Sequence, residues 1–109
     1  MKRVSSDDYL SRLQARATKA LIKFCEDHDN DVGSVAELRS CLKALERGDA
    51  KAAIDAYHRI PIGGMGCFND WLVPVAFPHE TPEYAQSVFD ALLNEWIRLM
   101  RLSEQDSKQ

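Results

Sequence analysis

The chain is poor in the two residues that interrupt regular structure. It has five glycines and four prolines in 109 residues, and seven of these nine fall between Pro61 and Pro82. Their scarcity elsewhere leaves the remaining sequence free to run in long regular elements. Cysteine is equally thin: Cys25, Cys41 and Cys67 are odd in number, widely spaced and in no CxxC pair, which gives no basis for a disulfide framework or a zinc site. Reduced thiols of this kind fit a cytoplasm. No run of 18 apolar residues is present to span a bilayer, and the opening MKRVSSDDYL lacks the apolar centre of a signal peptide, so a soluble, cytoplasmic protein is expected. Positive charge is not in excess either. Fourteen Lys and Arg against 17 Asp and Glu leave a formal charge of -3, which argues against wholesale binding to a phosphate backbone.

What is present reads as helix. With 45% hydrophobic and 28% charged residues the chain can bury one core, so a single domain over 1–109 is expected. A first helix is predicted from Ser6 as N-cap, with Leu10, Leu13, Ala17, Leu21 and Phe24 on its inner face. It runs out in Asp27-His28-Asp29-Asn30-Asp31. The Ser34 to Glu37 spacing predicts a capping box for a second helix carrying Val35, Leu38, Leu42 and Leu45 inward. Gly48 suits its C-terminal cap, and Asp49 suits the N-cap of a short third helix that Pro61 stops. Thr81, Pro82 and Glu83 open a fourth helix whose apolar stripe, from Val88 through Phe89, Leu92, Leu93, Trp96, Leu99 and Met100, is wide enough for a central position. A polar tail from about Ser103 is expected to fray. Together these elements predict an all-α fold, a small bundle of about four helices with a long ordered Gly/Pro/aromatic loop before the last one.

That loop, and the acidic turn after the first helix, are the candidate sites. Met65, Phe68, Trp71 and Phe77 either close over the bundle as a lid or present apolar side chains to a partner. Asp27, Asp29 and Asp31 approach the pattern of a calcium loop, but Val32 stands where that loop needs glycine and Leu38 where it needs glutamate. They are read as a solvated acidic turn or as a contact for a basic partner. Arg12, Arg16, Lys19 and Lys23 form a basic stripe with no interleaved aromatics, so nucleic acid is not expected. Cys67, Asp70 and His79 supply the residue types of a nucleophile, an orienting carboxylate and a base, without a diagnostic spacing. His79 to Glu83 is not HExxH, His28 and His58 have no ligand-spaced companions, and no cofactor or metal is expected. Asn69 and Asp70 have a simpler use, bonding nearby backbone amides to pin a turn.

The segment Leu45-Glu46-Arg47-Gly48-Asp49, followed by Gly63-Gly64-Met65-Gly66-Cys67-Phe68-Asn69-Asp70, resembles a family of small bacterial helical proteins marked by a GGMGxFND stretch after a helix ending in a GD pair. The resemblance covers about residues 35 to 100. It implies a compact fold without cofactors, and some members resemble the immunity proteins that accompany antagonistic toxins. The combined reading is a non-enzymatic, protein-binding module that neutralises a cognate toxin by occluding its active site. Asp27, Asp29 and Asp31 would steer the toxin, and Met65, Phe68 and Trp71 would make apolar contact. The alternative is a small enzyme or ligand-binding protein with a pocket under the loop, using Cys67, Asp70 and His79. A homodimer burying the loop across a twofold axis is a third arrangement.

Overall fold

A computed structural model describes residues 6–107, with side chains from 8 to 104. Among the described residues four α-helices follow one another: α1 (Ser6–Asp27), α2 (Gly33–Glu46), α3 (Ala50–His58) and α4 (Pro82–Ser107), with a 3-10 turn at Phe68–Asp70. No strand occurs among the described residues. α1 packs on α2 and α4, and α3 packs on the same two helices, so each helix touches its chain neighbours and the first and last close the ring. The expected all-α bundle is the observed fold. The Ser6 cap lies outside the described side chains.

The turns follow from single residues. At the end of α2 the Gly48 N–H reaches the Leu45 carbonyl and the Asp49 N–H reaches that of Ala44, with Gly48 at φ 80°. This paired closure needs a left-handed residue, which glycine supplies without a Cβ clash. Asp49 then accepts from the Ala52 N–H at 3.0 Å and starts α3. At the start of α4, Thr81 Oγ1 accepts from the Tyr84 N–H at 3.1 Å. The same paired closure ends α1, where the Asp29 N–H reaches Glu26 and the Asn30 N–H reaches Cys25, but the left-handed residue is Asp29 at φ 59°. Aspartate tolerates that region because its short side chain is polar.

Three expectations need correction. The capping box is not formed: α2 begins at Gly33 with Val32 at its N-cap and no side-chain cap, and Glu37 accepts instead from Arg59 Nε at 2.9 Å. The inner face of α1 is also rotated from the predicted stripe. Its buried line runs through Gln14, Thr18, Leu21 and Cys25, while Leu10, Leu13 and Ala17 are only partly covered. Trp96 is the physical reason, because the fully buried indole needs an acceptor and finds Thr18 Oγ1 at 3.0 Å. Thr18 in turn donates to the Gln14 carbonyl, and Gln14 Nε2 donates to the Leu99 carbonyl of α4 at 2.9 Å. Lastly, the residues after Ser103 continue α4 to Ser107 rather than leaving it. Ser103 Oγ accepts from Gln14 Nε2 and Glu104 pairs with His58.

Candidate functional site

The glycine-rich loop is tied to itself. Asn69 Oδ1 accepts from the Gly63 N–H at 2.9 Å, Asp70 Oδ2 from the Gly66 N–H at 3.1 Å, and the Phe68 N–H reaches back to the Pro61 carbonyl at 2.9 Å. Gly63 and Gly66 sit at φ 138° and 83°, which side chains would strain, so the spacing of these glycines is a backbone requirement. Asn69 and Asp70 thus take the amide-bonding role read from the sequence. The fold directs the loop's side chains to opposite sides. Phe68 is buried with its ring edge-on to Phe89, and Trp71 lies edge-on to Phe89 at 4.9 Å while remaining partly exposed. Met65 projects from the tip, 95% exposed.

Facing this loop is the turn between α1 and α2. Asn30 is 6% exposed, and its Oδ1 accepts from the Val32 N–H at 3.2 Å, while its Nδ2 has no acceptor. A covered donor without a partner costs about 1–3 kcal/mol. The first N–H groups of α2, at Gly33 and Ser34, follow without a side-chain cap. Between turn and loop lies an open cleft of about 590 Å³. Asn30, Val32 and Ser34 line its turn bank, Cys67, Asp70 and Trp71 its loop bank, and the paired Arg59 and Glu37 also belong to the lining. The two segments singled out in the sequence, more than thirty residues apart, therefore border one hollow.

Not every residue expected at a binding face reaches it. Asp29 and Asp31 are exposed beside the cleft, and no ion pair engages either among the described residues. Asp27 is set back on α1 and accepts from Lys23 Nζ at 2.8 Å, while Glu26 is held by Arg39 at 3.2 Å. Phe68 is a correction: it is a core residue under the loop, turned inward because its ring fills the space against Phe89. The lid expectation holds for Phe68 and in part for Trp71. It fails for Met65 and Phe77, which stay exposed. Leu72, 85% exposed, is the largest apolar surface that sequence reasoning did not single out, and its position directly after Trp71 offered no signal. In the basic stripe, Lys19 pairs with Glu46 and Lys23 with Asp27.

Cys67, Asp70 and His79 do not converge. Asp70 is committed to the Gly66 amide, and His79 stacks on Phe77 and meets Tyr84 edge-on, with no hydrogen bond to either of the other two. Burial pushes the Cys25 thiol up to about 12 and that of Cys41 to about 11, whereas Cys67 is partly exposed. A thiol reagent at neutral pH should therefore modify Cys67 alone in the folded protein, with Cys25 and Cys41 appearing only in denaturant. Simultaneous reaction of all three would contradict this burial.

A histidine with buried partners was not legible in the sequence. His28, buried, donates from Nδ1 to the Phe24 carbonyl at 2.8 Å, and its Nε2 lies 2.8 Å from Glu80 Oε2. Glu80 Oε1 accepts from the Ala76 and Phe77 N–H groups. Gln86 completes the fastening by accepting from the Val73 N–H and donating to the Trp71 carbonyl. These contacts strap residues 71–81 across the bundle and fix the loop bank of the cleft.

Compared with protein-family models, with curated proteins and with solved structures, the chain matches none. Among the described residues no group of three or more His, Cys, Asp or Glu side chains is placed to hold a metal, and no helix is long and apolar enough to cross a membrane.

Proposed function

We propose that the chain is a protein-binding module, and that its partner is a toxin which it neutralises by covering the active site. One observation carries this reading. Asp29 and Asp31, exposed and in no ion pair among the described residues, adjoin Asn30 and Val32 of the cleft lining, whose apolar wall is Val32 and Trp71, and the loop that supplies Trp71 also carries Met65 and Leu72, 95% and 85% exposed. Exposed apolar anchors next to charge of one sign are the elements of a protein interface, the charge steering encounter and the anchors holding the complex. The self-tied loop favours this use, because a surface already ordered loses little freedom on binding. The GGMGCFND motif, through its resemblance to a family with immunity-like members, supports a toxin as the partner.

The test is co-expression with the toxin carried by a neighbouring gene. Protection is expected from the wild type and from Lys51→Ala, which alters a separate groove. Asp29→Asn with Asp31→Lys should lose protection while retaining the melting temperature, since asparagine removes the charge yet suits the left-handed conformation at φ 59°. Equal killing with and without the chain would overturn the proposal.

A further inference from the structure

We propose that the cleft between the α1–α2 turn and the glycine-rich loop receives a basic loop of the partner protein, taking a backbone carbonyl at Asn30 and the start of α2 and a Lys or Arg side chain at Asp70. The inference rests on the protein-binding reading above and specifies what enters its interface. Three observations define the occupant. Asn30 is more than nine-tenths buried, lines the cleft and holds a donor without an acceptor. α2, a helix of 14 residues, begins there with no side-chain cap, so the N–H groups of Gly33 and Ser34 also call for an oxygen. These donors ask for carbonyl or carboxylate oxygens.

Charge decides between the two. Glu37 and Asp70 line the cleft, Asp29 and Asp31 adjoin its lining residues Asn30 and Val32, and Arg59, the one lining cation among the described residues, is already bonded to Glu37 at 2.9 Å. A carboxylate or phosphate entering here would meet more negative charge than positive, whereas a neutral carbonyl avoids that repulsion. Asp70 spends Oδ2 on the Gly66 N–H and has Oδ1 left to accept from a cation. A cleft of about 590 Å³ lies within the span of about 300–1,000 Å³ usual for compact ligand sites. The aliphatic stem of a Lys or Arg can lie along Val32 and Trp71, which supply apolar wall.

The experiment is an NMR titration of the whole protein with three blocked peptides, acetyl-Gly-Arg-Gly-amide, its Glu counterpart and its norleucine counterpart, and with inorganic phosphate. The Arg peptide should give saturable shifts of the Gly33 and Ser34 amides and the Asn30 side-chain NH₂. Asp70→Asn, which keeps an acceptor for the Gly66 N–H, should weaken it by roughly tenfold. Tighter binding of the Glu peptide or phosphate would make this an anion site, and equal binding of the norleucine peptide would make it merely apolar; either overturns the proposal. Absence of saturable shifts with any probe overturns it as well. Protection from a toxin without Arg-peptide binding would leave the interface reading standing and remove only this occupant, whereas Arg-peptide binding without protection would remove the toxin and keep the cleft.

Discussion

Trp96→Ala is expected to cost about 3–5 kcal/mol, the range for truncating a buried tryptophan, and to lower the melting temperature by roughly 15–25 °C in a domain of this size. Trp96 is fully buried, meets Tyr57 edge-on at 5.3 Å and donates to Thr18 across the α1–α4 contact. Its removal opens a cavity and takes a partner from a buried hydroxyl at once. Against a typical total stability of about 5–15 kcal/mol the loss is a large fraction. Thr18→Val separates the two contributions. It keeps the packing but leaves the indole N–H unpaired, at about 1–3 kcal/mol, and the double variant should lose less than the sum because both changes remove one bond. Thermal and urea unfolding measure all three. A fall of only a few degrees for Trp96→Ala would mean that α1 and α4 are not held by this contact.

The same contact explains which parts of the fold were legible. Gly48 followed by Asp49 is a local signal, because closure of one helix and capping of the next are settled within a few residues, and both form as read. The Ser34–Glu37 spacing is equally local but loses to tertiary context. The turn at Asp29 and Asn30 starts the helix at Gly33, and Arg59, 22 residues away, takes Glu37. On α1 the apolar period suggested Leu10, Leu13 and Ala17, yet Gln14 and Thr18 are buried because Trp96 and the Leu99 carbonyl need hydrogen-bond partners. A polar residue inside cannot be read from hydrophobic pattern alone.

The candidate site was legible in its pieces. Asn69 and Asp70 announce a pinned turn through residue type, and the acidic turn announces itself through charge. Their meeting across one cleft depends on how α1, α2 and α3 pack and on the strap over residues 71–81, and neither leaves a pattern in the sequence. Asn30 looked like one more turn residue among aspartates. Only the structure separates it from Asp29 and Asp31, since it is covered and they are exposed.

Acidification should unfasten that strap before the bundle melts. The Glu80 carboxyl is held below its ordinary value of 4.5, first by the Ala76 N–H and further by His28 and the Phe77 N–H, with desolvation acting the other way. A carboxyl depressed in the folded state contributes stability that is fully present above 4.5 and is lost as the pH falls through the lowered folded value. Protonated, Glu80 accepts these bonds less strongly and no longer attracts the His28 ring, whose Nδ1–H stays bonded to Phe24. Phe77 and Leu72 sit on the strap and are exposed enough for chymotrypsin to find once it lifts. Hydrogen-exchange protection of the Ala76 and Phe77 amides should therefore decline below pH 4.5 while amides of Leu38 and Leu93 stay protected. Glu80→Ala should show the lifted state at neutral pH, with cleavage in the strap roughly tenfold faster, as expected when a local opening becomes easier without global unfolding. Glu80→Gln keeps an acceptor oxygen but cannot titrate, so its Ala76 and Phe77 protection should be weaker than in the wild type and flat with pH. If protection in Glu80→Gln still declined below 4.5, the titrating group would lie elsewhere. If Glu80→Ala kept wild-type protection, the Gln86 bonds to Trp71 and Val73 alone would be holding the strap. Because Trp71 lines the cleft, the lifted state should also weaken any ligand seated there, which ties the buried His28–Glu80 pair to binding through the position of one side chain.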